Sequence, residues 1–80
     1  MAAVQLLVRR WCHLCDEMEA AVRPLLARAG MSLELVDVDE DPLLEARYGT
    51  DVPVLRHAGE VICRHRPDTT AVQVWIAKNC

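Results

Sequence analysis

An apolar run, Val4-Gln5-Leu6-Leu7-Val8, leads through Arg9-Arg10-Trp11 into two cysteines three residues apart, Cys12-His13-Leu14-Cys15. A helix-like pattern follows from Asp16 to Ala29. This order constrains the chain more than the cysteine spacing does. In a turn, C-x-x-C can supply half of a metal site. Where a strand hands over to a helix, the first thiol falls at the helix N-terminus. Unpaired N–H groups and the positive end of the helix dipole there favour thiolate over thiol. The thiolate is the species that attacks disulfides.

The remaining elements follow from periodicity and end signals. Leu6 and Leu7 make the first strand, Val4 to Val8, apolar on both faces, as suits a central strand. Met18, Ala21, Val22, Leu25, Leu26 and Ala29 fall on one helical face. Pro24 should kink that helix, because it removes the N–H that would bond to Ala20, and Gly30 is a fitting stop. A second strand is expected over Ser32 to Val38. A short helix is expected from Pro42 to Tyr48, with Asp41 as N-cap and Gly49 closing it. Val52 to Arg56 and Val61 to Cys63 read as strands joined by Ala58-Gly59 into an antiparallel hairpin. Pro67-Asp68-Thr69 opens a last helix, capped by Asp68 or Thr69, with Val72, Trp75 and Ile76 on its buried face. The order is β-α-β-α-β-β-α, and the helix between the first two strands makes them parallel with a right-handed crossover.

The 80 residues make one domain, 1–80, with a thin stability margin. Phe is absent, so the core must come from Val, Leu, Ile and Ala, with Trp11, Tyr48 and Trp75 as its large pieces. A net charge of −3 with scattered basic residues argues against nucleic acid as a partner. No apolar run approaches the roughly 20 residues that span a bilayer. Met1-Ala2-Ala3 lacks the features of a signal peptide, so a cytoplasmic location is expected. In a reducing compartment, a cysteine pair points to catalysis or metal binding rather than to a structural disulfide. Cys63 and Cys80 have no short-spaced partners: Cys63 reads as a buried, inert thiol, Cys80 as a mobile last residue.

On these residues the chain resembles the glutaredoxin-like branch of the thioredoxin fold, over nearly its whole length. Two separated motifs carry the resemblance: Trp11-Cys12-His13-Leu14-Cys15 after the first strand, and Val52-Pro53 opening the third. The spacing of Asp37 to Pro42, then Tyr48-Gly49, then Val52-Pro53-Val54, looks most like the short bacterial glutaredoxin-like proteins. The resemblance implies an α/β thioredoxin-like fold, with a four-stranded mixed sheet flanked by three helices. It implies that Pro53 follows a cis peptide bond beside the cysteines, and that Val52 offers its backbone N–H and C=O to an extended thiol substrate. Two features depart from the family pattern. His13-Leu14 stands where classical glutaredoxins carry Pro-Tyr. Cys63-Arg64-His65-Arg66-Pro67-Asp68 stands where classical glutaredoxins carry the Gly-Gly turn and acid that grip glutathione, and it has no Gly-Gly, leaving Asp68 as the one acid there.

The function expected is that of a thiol–disulfide oxidoreductase, an electron carrier using a Cys12/Cys15 dithiol–disulfide couple. Cys12 is the expected nucleophile and Cys15 the resolving thiol. Trp11, as a shielding wall, and His13, as a thiolate stabiliser or an exposed turn residue, join Val52 and Pro53 on the substrate side. No resident cofactor is expected; glutathione is a candidate co-substrate. Partners are thiol or disulfide proteins or small molecules, and the expected state is a monomer. Two other readings stay open: metal binding, as zinc or a shared iron–sulfur cluster, and a non-catalytic binding module on the same fold. The acidic run Asp37 to Asp41 reads as a solvated strand end with a helix cap, and His57 and His65 read as exposed.

Overall fold

The computed structural model describes residues 3–79; Cys80 lies outside them. The elements are β1 (Val4–Val8), α1 (His13–Arg28), β2 (Leu33–Asp37), a 3-10 turn (Val38–Glu40), α2 (Pro42–Tyr48), β3 (Val54–His57), β4 (Glu60–Arg64) and α3 (Thr69–Asn79). They build an α/β domain around a four-stranded mixed sheet of order β2-β1-β3-β4. β1 runs parallel to β2 and antiparallel to β3, and β3 pairs with β4 as an antiparallel hairpin.

The two-residue period of a strand splits the core in two. Leu6, paired with Leu55, packs among Val4, Met18, Val22, Leu26, Val72 and Trp75, so α1 and α3 cover that face. Leu7, paired with Val54, faces the other way, against Val38 and Tyr48 from the 3-10 turn and α2. Both leucines are fully buried. A β-bulge between Leu55 and Arg56 breaks the alternation in the facing strand, β4. Val61 packs on the α2 side, while Ile62 and Cys63 both reach the α1/α3 core.

The end signals behave as their chemistry demands. The Asp41 carboxylate accepts from the N–H groups of Leu43 (3.0 Å) and Leu44 (3.4 Å), with Pro42 next in the chain. The Asp68 carboxylate accepts from the Ala71 N–H at 2.9 Å, so Asp68 caps α3. α1 runs unbroken through Pro24, which is exposed, and Gly30 follows its end with a φ of 74°.

Several expectations need correction. β2 stops at Asp37, where the Asp37 carboxylate takes the Asp39 N–H at 2.9 Å and starts the 3-10 turn, so Val38 leaves the strand. β3 begins at Val54 rather than Val52, because Pro53 has no N–H to donate to a ladder. β4 extends by one residue at each end, to Glu60 and Arg64. Trp11 contributes nothing to the core, since its side chain is fully exposed. Its place among the large core residues falls to Met18, which is fully buried. His57 is half-buried, its ring tilted against Trp75 at a centroid distance of 5.2 Å.

The sheet dictates where truncation hurts. Leu6→Ala should cost about 2–5 kcal/mol, because both sheet neighbours hold the cavity open. Leu35→Ala, at a residue 46 % exposed, should cost well under half as much. Urea unfolding of the two variants measures the difference, and equal losses would contradict the central position of β1.

Candidate functional site

Strand directions bring the two sequence motifs together. β1 ends at Val8, and a four-residue loop carries the chain to α1 at His13. In that loop Trp11 adopts a positive φ of 60°. This left-handed conformation is uncommon for a bulky residue. It turns the Trp11 side chain out into solvent, where it is 100 % exposed. The expected shielding wall is therefore absent, and the ring covers neither cysteine.

Cys12 is the N-cap of α1. It is extended (φ −101°, ψ 100°), and its sulfur accepts from the Cys15 N–H at 3.1 Å, the bond a capping serine or aspartate would make. The Cys12 carbonyl takes the Asp16 N–H at 3.3 Å. Cys12 and Cys15 are joined as a disulfide with their Cα atoms 5.2 Å apart. Their environments differ. Cys15 lies inside the first turn and is 3 % exposed, whereas Cys12 is half-buried at the surface. The His13 side chain is 86 % exposed, with Nε2 3.8 Å from a Glu17 carboxylate oxygen.

Val52 and Pro53 occupy the same end of the sheet. β3 pairs Val54 with Leu7, so the residues before Val54 come level with the residues after Leu7. Pro53 is buried, Val52 is half-buried, and the bond between them is cis. β4 ends here too: Arg64 pairs with Val54, and the His65 N–H donates to the Pro53 carbonyl at 2.8 Å. His65 has a φ of 69°, so the turn after β4 is left-handed even without glycine. The Asp51 carboxylate lies 3.1 Å from Arg64 Nη1 and 3.8 Å from His65 Nε2. The exposure expected of His65 is observed.

Arg9 has a structural role that its place in the basic pair Arg9-Arg10 does not signal. Its Nε reaches both carboxylate oxygens of Asp39 (3.1 and 3.2 Å), and its Nη2 donates to Glu45 Oε2 at 2.8 Å. Its Nη1 donates to the Gly49 carbonyl at 3.0 Å. One planar fork thus ties the segment entering the cysteine loop to the segment leading into Val52-Pro53. These bonds raise the Arg9 pKa above its ordinary value, the Asp39 bond foremost and Glu45 next. Asp39 is thus an ion-pair partner while remaining exposed, as the acidic run was expected to be. The only sequence signal was an arginine at a strand end and an acidic run 30 residues on. Gly49 is required here for room: a β-carbon would stand 2.5 Å from the Glu45 carbonyl and 3.1 Å from Arg9 Nη2.

Cys63 lies away from the pair and donates to the Met18 sulfur at 3.7 Å. Burial pushes its thiol pKa up, outweighing a hydrogen bond from the Asp68 backbone that lowers it. Among the described residues no three His, Cys, Asp or Glu side chains gather so as to hold a metal ion, so the zinc alternative gains no support from the geometry.

The family model of the Glutaredoxin-like domain (DUF836) matches residues 3–77. The chain belongs to the glutaredoxin-like domain family. It is similar to the X-ray structure of protein XcR50 from X. campestris, at 34% identity and a TM-score of 0.73, covering 95% of this chain and 97% of that one. It is also similar to the solution NMR structure of protein Ne2328 from Nitrosomonas europaea, at 28% identity and a TM-score of 0.80, covering 92% of this chain and 89% of that one. A malarial protein shares the fold at 20% identity and a TM-score of 0.66, covering 98% of this chain and 96% of that one. No curated protein matches. Among the described residues no helix is long and apolar enough to cross a membrane.

Two outcomes follow from these contacts. Arg9→Gln and Gly49→Ala should each lower the urea midpoint, and the double variant should lose less than the sum, because both act on one contact; full additivity would break that link. The folded chain holds the Cys63 proton more tightly than the unfolded chain does. Stability from this group is therefore intact below the ordinary thiol pKa, about 8.5, and is lost as pH rises through the folded value. Cys63→Ala should flatten the fall in stability above about pH 8.5, and an unchanged slope would place its cause elsewhere.

Proposed function

We propose that the protein is a thiol–disulfide oxidoreductase in which Cys12 and Cys15 form the redox couple. The observation that carries the reading is the asymmetry of the pair: Cys12 sits half-buried at the surface as the cap of α1, and Cys15 is buried one turn inside. In the reduced state, the Cys15 N–H that meets the Cys12 sulfur stabilises a thiolate there. That thiolate attacks a substrate disulfide, forms a Cys12–substrate mixed disulfide and expels the first substrate thiolate. Cys15 then loses its proton and attacks the Cys12 sulfur. The second substrate thiolate leaves, and the Cys12–Cys15 bond forms. Two electrons pass to the substrate, whose two thiolates take up two protons, and the reverse sequence oxidises a dithiol.

Val52 supplies the backbone platform in this reading. It stands at the sheet end that also carries Cys12, half-buried and outside the β3 ladder, so its polar backbone groups are available to an extended segment. Trp11 and His13, both exposed beside Cys12, complete the substrate side. Such chemistry suits a monomer acting in the reducing cytoplasm, with no resident cofactor.

A redox titration tests the couple. The wild-type chain should form a reversible Cys12–Cys15 disulfide, and Cys15→Ser should accumulate the mixed disulfide on Cys12. Failure of the wild type to cycle across the accessible range of potentials would overturn the reading. Pro53→Thr should slow turnover with peptide disulfides at least several-fold without abolishing the disulfide, and unchanged turnover would remove the platform.

A further inference from the structure

Around the cysteine pair the surface is unusual in two ways. Trp11 is fully exposed and Leu14, three residues on, is 43 % exposed, so uncovered apolar side chains stand on both sides of Cys12 in the chain. A soluble chain rarely leaves a tryptophan uncovered, and buried tryptophans dominate the binding energy of protein interfaces. The second feature is charge. Arg10 precedes Trp11, and Arg64-His65-Arg66 forms the tight turn after β4, closed by an Arg66 N–H to Arg64 carbonyl bond of 2.8 Å. Arg64 is paired with Asp51, but Arg10 and Arg66 are exposed and neither has an acidic partner among the described residues. On a chain of net charge −3, these two cations belong to the loop before Cys12 and to the turn after β4.

Topology sets the spacing. The strand order places β3 between β1 and β4, so Val52-Pro53 separates the Cys12 loop from the Arg64–Arg66 turn. Two strand spacings of about 4.8 Å amount to roughly 10 Å, the reach of about three extended residues. Resting on the oxidoreductase reading above, we propose that the physiological substrate is a protein segment whose disulfide is flanked, within about three residues, by carboxylates. The segment lays apolar surface on Trp11 and Leu14 and its acidic side chains on Arg10 and Arg66. The indole gives contact area that a small thiol would not use, and the free arginines select for charge and speed the encounter.

The test is single-turnover reduction by the pre-reduced full chain of disulfide peptides differing only in their flanks: acidic, neutral or basic. Hydroxyethyl disulfide serves as a small neutral control, and oxidised glutathione as a small anionic one. At low salt the acidic peptide should react about 10-fold faster than the neutral one, and the basic one more slowly. The advantage should shrink at high salt and disappear in Arg10→Gln/Arg66→Gln, whose rate with hydroxyethyl disulfide should stay at the wild-type value. Trp11→Ala should slow all three peptides, and unchanged peptide rates would remove the apolar contact. Equal rates for the three peptides would overturn the proposal while leaving the oxidoreductase reading intact. Equal gains for oxidised glutathione and the acidic peptide would also overturn it, in favour of a small anionic substrate. If even hydroxyethyl disulfide is not reduced by the wild type, both readings fall together.

Discussion

The fold depends on one strand being apolar on both faces. Leu6 and Leu7 are adjacent, fully buried, and point into different cores. A slip of one residue in β1 would exchange these faces and put Gln5 among α1 and α3, so the register is strongly fixed. Gln5 instead lies on the α2 face, where it bonds to Glu34 of β2 and Arg56 of β3, both at 2.9 Å. That polar row fills the part of the sheet face that the short α2 leaves open. With the register set, the end of β1 has one place to go, and the cysteine loop begins there.

The chain then solves a positioning problem with charge. The cysteine loop and the Val52-Pro53 segment are more than 30 residues apart and share no ladder hydrogen bonds. Arg9 holds them in register by meeting Asp39, Glu45 and the Gly49 carbonyl from one rigid head. Exposed ion pairs stabilise little on average. The value of this one lies in geometry, since a planar fork bonded on three sides has little freedom to drift. Lysine could match the charge but not the directions. Gly49 belongs to the same device, because the carbonyl that Arg9 grips is reached only where no β-carbon intrudes.

What the sequence revealed, and what it hid, divides along the same physical line. Elements set by local rules were legible: β1 from its apolar run, α1 from its 3.6-residue period, α2 from Asp41 and Pro42, α3 from Asp68. The two halves of the site were legible because each has a local signature, C-x-x-C at a strand–helix junction and Val-Pro opening a strand. Features that depend on distant partners or on backbone sign were not. The Arg9 network joins residues up to 40 positions apart. The outward turn of Trp11 follows from a positive φ that tryptophan composition gives no reason to expect. His57 reads as exposed from its sequence because the ring that half-covers it, Trp75, is on another element.

The exposed Trp11 changes how the site is to be understood. A wall beside the cysteines would protect a thiolate from water, and its cost would be offset by packing. An indole in solvent protects nothing and gains nothing in the free chain, and its left-handed backbone is itself unfavourable. In the proposed reaction its use lies in what it later touches. The charges around it reinforce the point. Asp16 and Glu17 lie on the helix side of the cysteines, whereas Arg10 and the Arg64–Arg66 turn lie toward the strands. For the segment proposed above, this division would orient it as well as attract it, because a reversed segment would bring its carboxylates against Asp16 and Glu17. In the proposed reaction the cap geometry makes Cys12 a fitting nucleophile, and the surroundings of Trp11 would restrict which disulfides approach it and in which direction.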